Sequence, residues 1–238
     1  MLLEAAIFFA LFVALLVVRR LSERKNITEF TFPIKLDAST WKNFSHGAVA
    51  GLIYAAAYCL LIVISGNGSL IVNGFETAKQ TLSSASAIVL LVVAESLFAE
   101  SFFRGLVLEK FLTKFDMGAA VASTSALYCA IMAILFRENP YLIMILVNSF
   151  LLSVILCLMT ISSKSLVPGL GKEMAFGLAQ GLLFSYLPHV ETPAVVNLSV
   201  SQSPFSGTPG VIASSMAFTI VLAVGLAYEI HHFRAHHH

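Results

Sequence analysis

Long apolar runs separated by short polar stretches dominate the chain. Seven of them approach the roughly 20 apolar residues that a helix needs to cross hydrocarbon. They cover about 2–18, 46–65, 84–110, 117–136, 140–162, 166–187 and 209–230. The pattern predicts an all-α polytopic transmembrane bundle of about seven spans. The first run has no basic stretch before it and is followed by RRLSERK, which predicts a retained anchor rather than a cleaved leader.

The basic residues orient the spans. Arg19, Arg20, Arg24, Lys25, Lys35 and Lys42 fall between the first two. Threading onward puts Lys110, Lys114, Lys164 and Arg234 on that same side and only Lys79 and Arg137 on the other. The excess marks the cytoplasmic face, which predicts an outer N-terminus and a cytoplasmic C-terminus. Residues 1–45 then form the first anchor and a cytoplasmic interfacial loop, 46–230 a helical membrane domain, and 231–238 a C-terminal tail. Residues 188–208 become the largest outer loop. His236 to His238 read equally as native or as the remnant of a tag and take no part in the functional reading.

Composition sharpens this. Of 238 residues, 58% are hydrophobic and 11% charged, with a mean hydropathy of +0.88. Soluble domains carry about 25% charged residues, so this chain cannot cover a water-facing surface. The net charge of +1 and the absence of a basic stripe give no reason to expect nucleic acid. Cys59, Cys129 and Cys157 sit in apolar runs without metal-ligand spacing and read as small buried hydrophobes. No metal and no cofactor is expected.

Charges inside apolar spans are costly and usually have a task. The third span carries Glu95, Glu100 and Arg104. Glu100 and Arg104, four apart, can pair on one helix face. Glu95 lies five residues earlier and is directed to a different neighbour. The sixth span carries Lys172 and Glu173, which as adjacent residues point to different sides. Placing Lys172 against Glu95 or Glu100 would compensate both buried charges. Gly177 and Gly181 form a small-xxx-small pair suited to close helix packing. The five charges read either as an ion-pair network that fixes helix register or as a catalytic or binding cluster.

The stretch AESFFRGLVLEKF resembles the first motif of the CPBP family, the CAAX-protease and bacteriocin-processing (Abi) family of membrane endopeptidases. DMGAAVASTSALYCAIMA, SKSLVPGLGKEMAFGLAQG and FSGTPGVIASSMAFTIVLAVGLA are similar, in the same order, to its later segments. Glu100, Arg104 and Gly105 match the motif. The resemblance puts the water-activating glutamate of the family at Ala99, its first histidine at Met132 after Tyr128, its second at Lys172 or Glu173, and its asparagine at Phe176 or Gly177. A general base and oxyanion donors are what the family chemistry requires, and alanine, methionine and glycine side chains supply neither.

The resemblance therefore implies a degenerate, non-catalytic member acting as a subunit, scaffold or assembly factor of a membrane complex. Its partners would be other integral membrane proteins and lipids, and its location a bacterial inner or plasma membrane. The alternative is a divergent intramembrane glutamic endopeptidase with Glu100 as base and Arg104 beside it. A third class, a transporter or lipid-binding protein, would suit intramembrane charges, but no inverted repeat supports it.

Overall fold

The computed structural model describes residues 2–23, 38–72, 78–185 and 196–237. Arg24, Lys25 and Lys35 of the expected cytoplasmic loop, and residues 186–195 of the expected outer loop, lie outside this set. The described chain is mostly helical. In order it forms α1 (Leu2–Glu23), α2 (Ala38–Ile64), β1 (Gly68–Val72), α3 (Ala78–Ala99), α4 (Glu109–Leu112), α5 (Met117–Leu135), α6 (Leu142–Ser163), α7 (Val167–Leu178), β2 (Phe184–Ser185), β3 (Val196–Val200) and α8 (Met216–His237). Two stretches are wound as wider π-helix, Glu100–Leu108 joining α3 to α4 and Ala179–Leu183 following α7.

Among the described residues, five helical stretches are long and apolar enough to span a membrane: Thr40–Ile64, Ala85–Leu112, Met117–Leu135, Leu142–Ser163 and Met216–Ala235. Leu2–Val17 is a shorter apolar helix, and the segment from Val167 through Leu183 is shorter than the expected 166–187. The last helix begins at 216 rather than 209, because Gly207 and Gly210 hold positive φ and make turns ahead of it. Ser215 then caps it, its hydroxyl accepting from the Phe218 N–H at 3.1 Å.

The all-α expectation is corrected by a three-stranded sheet in the order β1-β3-β2. Strands β1 and β3 are antiparallel, with Leu70 opposite Leu198; β2 is parallel to β3. The runs GSLIV and VNLSV are too short to register in a span-length reading, yet their branched, alternating residues suit a small sheet. Part of the expected outer loop is thus folded.

Glycine sets how closely the helices approach. On α2, a Cβ at Gly47 would fall onto the backbone of Pro168, and one at Gly51 onto that of Lys172. On α7, a Cβ at Gly171 would meet the backbone of Phe44. These GxxxG-like contacts bring α2 and α7 together backbone to backbone. The opposite side of α7 takes α3 in antiparallel order. Gly177 lies against Val92 and Gly181 against Ile88, their would-be Cβ atoms 2.9 and 2.6 Å from those side chains. Helix α7 is therefore clamped between α2 and α3.

The main apolar core joins α2, α6 and α8 through Tyr58, Ile62, Ile155, Leu156, Phe218 and Leu222. Asn148 of α6 adds a polar tie, donating its amide to the carbonyls of Ala213 and Ser215 at 2.7 and 2.9 Å. It holds the entry to α8 in place.

Gly51→Ala should force α2 and α7 apart and destabilise the protein by about 1–3 kcal/mol, the usual range for overpacking. Gly118→Ala, whose Cβ would meet nothing closer than Asp116 Oδ1 at 3.3 Å, should change little. Thermal melts of both variants in the same detergent check the difference.

Candidate functional site

The site is assembled where α7 crosses the π-helical segment Glu100–Leu108 that continues α3. The π-helix begins at Glu100. Such wide turns are uncommon and occur often at functional positions. Glu100 and Arg104 lie within it, and both are fully buried. Arg104 Nη1 is 3.2 Å from Glu100 Oε1, and 3.9 Å from Glu173 Oε1 across the interface with α7. One guanidinium thus bridges two carboxylates from two helices.

The space for Glu100 is made by Gly169, at the start of α7. A Cβ at Gly169 would fall onto the Glu100 carboxylate. Around Arg104 the aromatic rings of Phe103 and Tyr128 approach with centroids 5.8 and 5.6 Å from its Cζ, within cation–π reach. Those two rings meet edge to face at 4.9 Å. Cys157 of α6, fully buried, is in electrostatic contact with the guanidinium. The pairing of Arg104 with Glu100 is chiefly ionic.

The expected pairing of Lys172 differs from its placement. Its ammonium lies 3.9 Å from the ring centroid of Tyr54 on α2. Among the described residues no carboxylate reaches it within 4.0 Å. Its leading electrostatic partner is Glu229 of α8, with Glu173 and Glu100 behind. Adjacent residues on α7 thus serve two centres: Glu173 faces α3, and Lys172 faces α2 and α8. A Cβ at Gly225, one turn before Glu229, would collide with the Tyr54 hydroxyl, which shows how tightly α8 closes over this second centre.

Sequence reasoning missed Glu229 and Tyr54. The available signal for Glu229 was its place as a lone acid inside the expected final span, next to the histidines of the tail. Glu229 is buried and in electrostatic contact with His46 as well as Lys172. Glu95 stands apart from Arg104. It is exposed and lines a groove between α1 and α3. Among the described residues, no group of three or more His, Cys, Asp or Glu side chains is placed to hold a metal ion.

The α7 register can now be read. The face carrying Gly169, Glu173 and Gly177 turns to α3. Phe176 turns to α8 and stacks on Phe218 at 5.2 Å. Glu173 and Gly177, rather than Lys172 and Phe176, occupy the side of α7 that meets Glu100.

An apolar helical bundle with a buried ionic centre of this kind defines an integral membrane protein. The model of the family described as type II CAAX prenyl endopeptidase Rce1-like matches residues 81–179. Over that segment, less than half of the chain, the protein is similar to this family. The matched residues include Glu100, Arg104, Lys172 and Glu173; Tyr54, Glu229 and the α1 groove fall outside them. No curated protein and no solved structure matches the chain.

Arg104→Met would leave two buried carboxylates facing each other without their shared cation. Breaking one partner of a buried pair costs about 3–5 kcal/mol. The expected outcome is a large fall in melting temperature in detergent, partly recovered by adding Glu100→Gln. Lys172→Met should be milder, because no ion pair within 4.0 Å is broken.

Proposed function

We propose that this protein is a non-catalytic member of its family and works as a subunit, scaffold or assembly factor in a complex of integral membrane proteins. The observation that carries the reading is the state of Glu100. It is fully buried, packed against Gly169 and held by Arg104. A base that activates water needs water beside it and a proton acceptor poised near the working pH. A carboxylate committed to a guanidinium in a dry contact is poorly placed for either.

The residues around it support the same reading. Ala99 and Met132 stand where the resemblance expects a base and a histidine. Glu173 and Gly177 stand where it expects a histidine and an asparagine on the face that meets Glu100. The second centre, Lys172 with Tyr54 and Glu229, serves the packing of α2, α7 and α8. We extend the proposal to seven passes, counting α1 and the α7 segment with the five long helices. The N-terminus lies outside and the C-terminus in the cytoplasm of a bacterial inner or plasma membrane.

The alternative is an active endopeptidase, favoured by the family description and by the retention of Glu100 and Arg104. Reconstitution in liposomes with prenylated CaaX-type peptides and membrane-protein substrates separates the two. The proposal expects no cleavage above vesicles alone, together with a partner that co-purifies at fixed stoichiometry. Cleavage by the unaltered protein that Glu100→Gln abolishes would overturn it.

A further inference from the structure

Helix α8 is held in two different ways along its length. Its first half is set in the apolar core through Ala217, Phe218, Val221 and Leu222, with Leu226 half-buried against it. Beyond that point the character changes. Among residues 227–235 the buried one is Glu229; His232 and Phe233 are half-buried and the rest are exposed. Two contacts set the register against α2. A Cβ at Gly225 would fall onto the Tyr54 hydroxyl, and the His232 ring stacks on that of His46 at 6.2 Å. From Gly225 to His232, α8 therefore runs antiparallel to α2 from Tyr54 to His46. Gly225, Glu229 and His232 share the helix face turned to α2, so Glu229 lies between the two contacts.

This segment covers Lys172. The lysine side chain is buried, its Nζ lies 3.9 Å from the Tyr54 ring centroid, and among the described residues Nζ has no hydrogen-bond partner. Burying an amine without such a partner is costly. Lys172 stands five residues into α7, about 7.5 Å at 1.5 Å per residue. That places it toward the end of the bundle that carries His46 and the exposed Lys164. Glu229 and His232 lie between it and that end. His231 and Arg234, both exposed, belong to the same stretch of α8, as suits a helix end at an aqueous boundary.

A segment fixed largely by polar groups over an unsatisfied amine belongs to the low end of local stability. Water replaces the contacts of Glu229, His232 and Lys172 when the segment lifts, but offers nothing to Phe218 or Leu222. Gly225 marks the boundary between the two halves. Glycine costs about 1 kcal/mol in a helix interior relative to alanine, and hinges are often small residues.

We infer that the part of α8 after Gly225 is a hinged latch. It is closed over Lys172 in this structure, and it swings from α2 to open that amine to water and small solutes at the His46 end of the bundle. Such a latch acts on the second centre and is independent of the subunit role proposed above.

The test ties the latch to α2. His46→Cys and His232→Cys are joined by a short bifunctional thiol reagent in a full chain with Cys59, Cys129 and Cys157 replaced by alanine. A small neutral acylating reagent is applied to the folded protein at fixed pH, and peptide mass spectrometry reads Lys172 against the exposed Lys114 and Lys164. Before bridging, Lys172 should be acylated without denaturation, at least a hundredfold more slowly than the two references. Bridging should slow it at least tenfold further and leave the references unchanged. Hydrogen exchange on the unaltered chain reads the same motion: amides 227–232 should exchange at least tenfold faster than amides 217–222. Acylation of Lys172 only after denaturation, or at the same rate with and without the bridge, would overturn the latch. So would a cysteine pair that cannot be bridged in the folded protein, or equal protection of the two halves of α8.

Discussion

The Arg104 guanidinium, shared between Glu100 on its own helix and Glu173 on α7, is the contact on which the rest of the bundle depends. Each of these charges alone would be too costly to bury. Together they tie the longest helix of the bundle to α7 at one register. A slip of either helix would separate charges in an apolar interior. Helix packing among lipid-exposed helices gains little from hydrophobic burial, because lipid tails are as apolar as leucine. Ionic and close-packing contacts therefore carry the specificity here.

The glycines act with this ionic contact. Gly169 gives Glu100 its place, and Gly47, Gly51 and Gly171 let α2 and α7 touch along their backbones. Gly177 and Gly181 make room on the other side for the Val92 and Ile88 side chains of α3. With α7 clamped on two sides, Lys172 and Glu173 are sent to different neighbours although they are adjacent in the chain. Such contacts set a frame, whereas any chemistry in it would depend on only a few side chains. On the proposed reading, the same geometry persists with Ala99 and Met132 at positions where the resemblance places groups that move protons.

Much of this was legible in the sequence, for identifiable reasons. Apolar runs of span length reveal themselves, and the Glu100–Arg104 pair follows from a four-residue spacing on one helix. The partner of Lys172 was not legible, because tertiary packing decides which side of α7 faces which helix. Glu229 was hidden by its position beside the histidines of the tail. The sheet was hidden by brevity, since GSLIV and VNLSV are shorter than any span. The π-helical winding at Glu100 leaves no signature in residue order. Glu95, legible as a charge without an explanation, gains a location beside Glu4 but no cation within ion-pair distance among the described residues.

The claim that the ionic centre is closed to water can be measured through Cys157, which is buried against Arg104. With Cys59 and Cys129 replaced by alanine, a small membrane-permeant thiol reagent reports access to this position. The account predicts that Cys157 reacts only after denaturation and that a prenylated peptide makes no difference. Rapid labelling of the folded protein, blocked by that peptide, would contradict the closed centre and reveal a hydrated substrate cavity beside Glu100.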